Sequence, residues 1–76
     1  MSLDKIKTNQ SCSVVSINSC SDELRSSFYQ LGVFPGVKIR MLHKRKSPLQ
    51  IRIGHSSLCS IRRNEAKFIE VKINEL

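Results

Sequence analysis

The sequence predicts a mainly β fold: a small β-barrel of about five short strands, with one short helix after the first strand and a single helical turn before the last strand. Short segments of alternating apolar and polar residues recur with tight turns between them, which is typical of small barrels. One segment near the N-terminus instead repeats its apolar residues at helical spacing. With 76 residues there is room for one modest core, so residues 1–76 are expected to form a single domain.

The chain is expected to begin with a leader turn over residues 4–10. Thr8 and Asn9 form its bend, because Asn tolerates the left-handed backbone that a tight turn needs. The first strand is predicted at residues 12–17, where β-branched residues are followed by the polar pair Asn18 and Ser19.

The next segment has the signals of a short helix. Ser21 is suited to accept from the free amides at a helix start, and Gly32 suits a left-handed C-terminal cap. Between them, apolar residues at positions i, i+4 and i+7 form one stripe, which we expect to close one open end of the barrel. The stripe comprises Leu24, Phe28 and Leu31.

A turn follows the helix, since Pro35 and Gly36 suit the two central positions of a tight turn. Four further strands are expected from their alternating patterns. They cover residues 37–42, 49–53, 58–61 and 69–73. A basic loop separates the first two of these strands, and polar residues 62–66 fit the single helical turn before the last.

The formal net charge of +7 is concentrated in the middle of the chain. Between residues 24 and 64 there are nine Lys or Arg and no Asp or Glu: Arg25, Lys38, Arg40, Lys44, Arg45, Lys46, Arg52, Arg62 and Arg63. Lys38, Arg40 and Arg52 are predicted on the outward face of adjacent strands, where they form one patch. Such a patch suits an acidic protein or an anionic membrane, or is simply solvated. Nucleic acid is disfavoured, because no aromatic residues alternate with these cations for stacking.

Two aromatic residues lie off the helical stripe. Tyr29 and Phe34 stand beside the Pro35–Gly36 turn, where exposed rings suit protein docking; packing against the barrel end is the alternative. Together with the basic patch they are the predicted partner-binding residues.

The reactive side chains do not form a recognisable catalytic set. There is no phosphate-binding glycine loop and no evident pair of inward-facing carboxylates, so we expect no enzyme activity and no cofactor. Cys12, Cys20 and Cys59 include no CxxC pair, which indicates free thiols in a reducing compartment. Metal binding stays open, because His55 and Cys59 supply only two ligands that could meet near one turn.

The order of several short motifs resembles the ferrous iron transport protein A (FeoA) family. The matching segments are Leu24 with residues 31–36, the strand residues Val14, Val15 and Ile17, and residues 37–39, 48–51, 61–66, Ile69 and Val71. Within them, Leu31, Gly32, Pro35 and Gly36 form the family's structural turn, and residues 61–66 match its I-x-R-x-x-E-A segment. The resemblance extends from Leu3 to Val71.

This resemblance implies an SH3-like barrel that serves ferrous iron uptake. The implied partner is a FeoB-type membrane iron transporter with a cytoplasmic GTP-binding domain. A related barrel occurs in iron-dependent repressors, so a metal-sensing or nucleic-acid-binding regulatory barrel is the alternative. No segment approaches the roughly 20 apolar residues of a membrane span, so the expected location is the cytoplasm, with peripheral contact at the inner membrane face left open. A homo-oligomer is also left open.

Overall fold

A computed structural model describes residues 1–18, 21–45, 48–55 and 57–74. It begins with a 3₁₀ turn, Leu3–Lys5. The remaining elements are β1 (Ser11–Ile17), α1 (Asp22–Leu31), β2 (Lys38–His43), β3 (Leu49–Ile53), β4 (Ser57–Ile61), α2 (Arg63–Ala66) and β5 (Ile69–Ile73). The strands form one antiparallel sheet in the order β4-β3-β2-β1-β5. The predicted mainly β fold is therefore confirmed, with the helix and the helical turn where the sequence placed them.

All five strands contribute to one hydrophobic core. On the inward side, Cys12 of β1 lies opposite Ile39 of β2, which in turn lies opposite Ile53 of β3. These three residues are buried, and they belong to the same cluster as residues of both edge strands. The sheet must therefore wrap around a common interior, as in a barrel. Among the described residues no pairing joins β4 to β5, so the barrel is open along that side.

The helix has the start and the end that the sequence predicts. The Ser21 hydroxyl oxygen accepts from the Leu24 amide at 3.2 Å. At the other end Gly32 has a φ of 94°, and its amide donates to the Tyr29 carbonyl oxygen. The Val33 amide donates to the Phe28 carbonyl oxygen at 2.8 Å, which completes a Schellman motif.

The predicted apolar stripe is wrong at its last residue. Phe28 is buried and Leu24 is partly buried against the core, but Leu31 is 47% exposed. The Schellman motif explains the difference, because it reverses the chain just after Leu31. Val33 is then directed into the core and is fully buried. In a Schellman motif, the first residue of the motif and the residue after the glycine commonly make an apolar contact; here these residues are Phe28 and Val33.

The turn after the helix is joined to β1. The Val37 amide donates to the Phe34 carbonyl oxygen at 3.1 Å, and Gly36 has a φ of 97°, as the Pro35–Gly36 turn requires. Val14 of β1 then accepts from Gly36 and donates to Val37, each at 2.8 Å. The turn is therefore held in place before β2 begins.

The N-terminal segment is more than the leader turn that the sequence suggests. Leu3, the first residue of the 3₁₀ turn, and Ile6, the residue just after it, are fully buried in the core. The bend at Asn9 is confirmed by its φ of 69°. Sequence alone does not reveal the two core positions, since one short turn has no repeating apolar pattern.

Lys44 holds this segment against the barrel. Its ammonium donates to the Asp4 carbonyl oxygen at 3.0 Å and to the Ile6 carbonyl oxygen at 2.7 Å. The Arg63 guanidinium donates to the carbonyl oxygen of Lys44 itself. Lys44 and Arg63, two of the nine Lys and Arg residues counted between residues 24 and 64, thus connect separate segments of the chain. Lys46, also counted there, lies outside the described residues.

We expect Lys44→Met to destabilise the fold by about 2 kcal/mol, because it keeps an unbranched side chain but removes two charged hydrogen bonds to partly buried carbonyls. Urea unfolding monitored by circular dichroism measures the change. Lys5→Met is the matched control at an exposed position, with an expected change within about 0.5 kcal/mol. Equal losses in the two variants would show that the Lys44 contacts are not stabilising.

Candidate functional site

The outward side of the sheet carries the predicted cationic patch. Lys38 and Arg40 of β2 and Arg52 of β3 are all exposed, as the alternation predicts. Arg40 lies directly opposite Arg52, and Ser11 of β1 lies opposite Arg40 on its other side. We name Lys38, Arg40 and Arg52 the basic strand face.

The positive charge of this face is not balanced within the described part of the chain. The ion pairs found among the described residues do not involve Lys38, Arg40 or Arg52. They join the Met1 ammonium to Glu70 at 2.8 Å, and Arg25 to Asp22 at 3.9 Å. Side chains directly opposite each other on antiparallel strands are only about 5 Å apart at Cβ, so like charges there repel. The face therefore offers favourable interactions to an incoming anionic group.

A shallow depression of about 220 Å³ lies over the basic strand face. It is lined by Ser11, Lys38, Ile39, Arg40, Arg52, Gly54, His55 and Asn74. Sequence reasoning did not include Ser11 or Asn74 in the site and did not connect His55 with the patch. The sequence contains no signal for this grouping, which depends on β1 lying between β2 and β5.

The predicted aromatic residues form a pair. The rings of Tyr29 and Phe34 are stacked, with centroids 6.1 Å apart and planes 13° apart. Tyr29 follows buried Phe28 on the helix and so faces away from the core, and the turn after Gly32 returns the chain so that Phe34 meets it. The rings pack on each other yet stay 48% and 41% exposed. They form an aromatic contact surface next to the Pro35–Gly36 turn.

The aromatic pair and the basic strand face are close in sequence, and the same part of the fold holds both in place. Phe34 and Lys38 are joined by the turn that is hydrogen-bonded to β1. A Cβ placed on Gly32 would lie 3.8 Å from the Ile53 side chain, so the helix end packs against the end of β3 that carries Arg52. Both parts of the site are thus held by the same end of the barrel.

His55 and Cys59 are not brought together into a metal site. His55 lines the depression on the outward side. Cys59 lies opposite Ile51, a buried residue, and is itself partly buried against the core. Within the described ranges no three His, Cys, Asp or Glu side chains are grouped as metal ligands.

The described thiols are not activated. Burial raises the pKa of Cys12 to about 11 and also raises the pKa of Cys59. Because the thiolate is the form that attacks electrophiles and binds metals, raised pKa values weaken both functions near neutral pH. Cys20 lies outside the described residues.

Comparisons with known proteins agree with this description. The curated relative "Putative Fe(2+) transport protein A" of Helicobacter pylori strain J99 is 27% identical over 74 residues, which is 95% of this chain and 94% of the relative. A solution structure of FeoA from Chlorobium tepidum superposes with a TM-score of 0.86 at 28% identity, covering 96% of this chain and 70% of that one. The zinc complex of Stenotrophomonas maltophilia FeoA, described as a procaryotic SH3 domain protein, gives 0.79 at 26% identity, with coverage of 95% and 89%.

The fold therefore defines a small SH3-like domain. A family model described as the FeoA domain matches residues 1–73. The chain belongs to the FeoA family, a family of small accessory domains connected with ferrous iron transport. A manganese-dependent transcriptional repressor superposes with a TM-score of 0.91 over 97% of this chain and 36% of the repressor, but at 16% identity it shows shared fold alone. Of the helices described, none has the length and apolar character to cross a membrane.

Cys12 gives a test of the buried environment beneath this site. In the folded state its thiol keeps its proton up to about pH 11, whereas the unfolded chain releases it near pH 9. Between pH 9 and pH 11 the folded state therefore holds the Cys12 proton more tightly than the unfolded chain does. The stability of the folded state must then fall as the pH rises from 9 to 11. We expect a steeper fall for the native protein than for Cys12→Val, measured as the urea midpoint at each pH. Other groups titrate in both proteins, so parallel pH profiles would contradict the raised pKa.

Proposed function

We propose that this protein is a non-enzymatic accessory of ferrous iron transport that docks on a FeoB-type, GTP-dependent iron permease and modulates it. Membership of the FeoA family supports the transport role. The observation that carries the docking proposal is an unbalanced basic strand face joined to an exposed, stacked aromatic pair.

The two parts of the site supply different components of binding. Lys38, Arg40 and Arg52 attract an acidic surface at long range and increase the association rate. Tyr29 and Phe34 supply rigid apolar area, and aromatic residues and Arg are enriched among the residues that dominate binding energy. An acidic surface with an apolar pocket beside it is therefore the complementary partner.

The proposal also includes a location and a domain organisation. The protein acts in the cytoplasm, at the inner face of the membrane, where the nucleotide-binding part of such a permease is accessible. Residues 1–76 act as one domain, because the strands and both helices share one core.

The charge-reversed variant Lys38→Glu/Arg40→Glu/Arg52→Glu should bind the permease at least about tenfold more weakly, mainly through a slower association rate. Biolayer interferometry with the permease in nanodiscs measures both rates at several salt concentrations. The control Lys5→Glu/Lys7→Glu/Lys67→Glu makes the same change in net charge at exposed positions elsewhere. If the two triple variants lose binding and cellular iron uptake equally, the basic strand face is not the docking surface.

Tyr29→Ser/Phe34→Ser should weaken binding about tenfold through faster dissociation, because two partly buried anchor rings are lost from the interface. Stability should change little, since both rings are already about half exposed. The control is Leu58→Ser on β4, which removes a side chain that is 71% exposed. Unchanged dissociation in the aromatic variant, or an equal effect in the control, would exclude the aromatic pair as an anchor.

A further inference from the structure

The depression over the basic strand face has the chemistry of an anion site. Among the described residues that line it, four have basic side chains, Lys38, Arg40, Arg52 and His55, and none has a carboxylate. We propose that this depression binds a phosphate group.

The arginine positions favour a shared ligand. Arg40 and Arg52 face each other on neighbouring strands, about 4.8 Å apart in the sheet. Both guanidinium groups can reach a single anion above the sheet, and each has the planar fork that matches phosphate oxygens. An anion held between them replaces repulsion by attraction. Lys38 lies two residues along β2, about 7 Å from Arg40, and contributes a third charge from the side.

Neutral donors complete the rim. The Ser11 hydroxyl lies beside Arg40 on the next strand. The Asn74 side-chain oxygen already accepts from the Ser13 hydroxyl at 2.9 Å, so its amide nitrogen is the group left to donate. His55 also lines the depression. A tetrahedral phosphate can use this many donors around one centre, whereas a carboxylate has only two oxygens.

This inference goes beyond docking on a permease, since it requires no protein partner. The same chemistry can come from a small soluble phosphate compound or from the headgroup of an anionic phospholipid. The structure defines the shared phosphate chemistry, and two experimental arms distinguish the sources.

The first arm is thermal unfolding of the purified protein in pyrophosphate against sodium chloride at equal ionic strength. Pyrophosphate should raise the melting temperature in a saturable way, because a ligand that binds only the folded state stabilises it. In Arg40→Gln/Arg52→Gln the apparent affinity should fall at least about tenfold, as expected for lost charged hydrogen bonds. In chloride this variant should melt at or above the temperature of the native protein, since the repelling pair is gone.

The matched control is Lys7→Gln/Lys67→Gln, which removes the same net charge at exposed positions outside the depression. It should keep the pyrophosphate response. An equal loss of response in both variants would show general charge screening and overturn a specific site.

The second arm is co-sedimentation with phosphatidylglycerol vesicles, with phosphatidylcholine vesicles as the neutral reference. Binding that is lost in the arginine variant and competed by pyrophosphate assigns the site to a lipid headgroup. A pyrophosphate response without vesicle binding assigns it to a soluble compound. If pyrophosphate has no effect and vesicle binding is absent or persists in the arginine variant, the proposal is wrong. Because neither arm contains a permease, this failure would leave the docking proposal intact.

Discussion

The inward face of one wrapped sheet supplies most of the hydrophobic core, and the rest of the structure depends on that constraint. A chain of this length buries only about 60% of the surface it exposes when unfolded, so each strand must contribute its inward side chains. The buried row Cys12–Ile39–Ile53 fixes the register of β1, β2 and β3. A slip of one residue would turn every apolar side chain outward, and this cost maintains the register. The neighbouring outward row, Ser11–Arg40–Arg52, is fixed by the same pairing. The core therefore determines the geometry of the basic strand face, although no cation belongs to the core.

Short segments outside the strands complete the core, and one of them also creates the aromatic pair. α1 stops at a glycine cap that directs Val33 into the core. The same reversal places Phe34 against Tyr29, whose position on the helix already faces away from the barrel. At the N-terminal segment, Leu3 and Ile6 fill the interior while Lys44 satisfies two carbonyl oxygens. The chain reversal at Gly32 thus has two effects. It buries Val33 in the core, and it forms the aromatic pair that we propose as part of the docking surface.

Sequence reasoning recovers the features that local chemistry determines. Period-two alternation locates the strands, and Ser21 and Gly32 define the helix ends because caps are local. Reasoning failed where the outcome depends on the tertiary fold. Leu31 has the correct helical spacing, yet Val33 takes the core position after the chain reverses. The sequence places Lys44 in a basic loop and gives no sign of its partners, which are about forty residues earlier in the chain. The rim of the depression likewise brings together β1, β2, β3 and the residue after β5, an arrangement set by strand order alone.

The proposed docking and the proposed phosphate binding involve the same three cations, so the two events would be thermodynamically linked. A phosphate held by Arg40 and Arg52 removes charge that would otherwise attract an acidic partner, and by reciprocity a bound acidic surface weakens phosphate binding by the same factor. Tyr29 and Phe34 stand outside the depression and keep their contact area in either state. The aromatic pair can therefore retain a partner while the basic strand face exchanges one anion for another. Under the two proposals, this separation of an apolar anchor from an exchangeable charged surface would allow a small barrel to respond to its ionic surroundings.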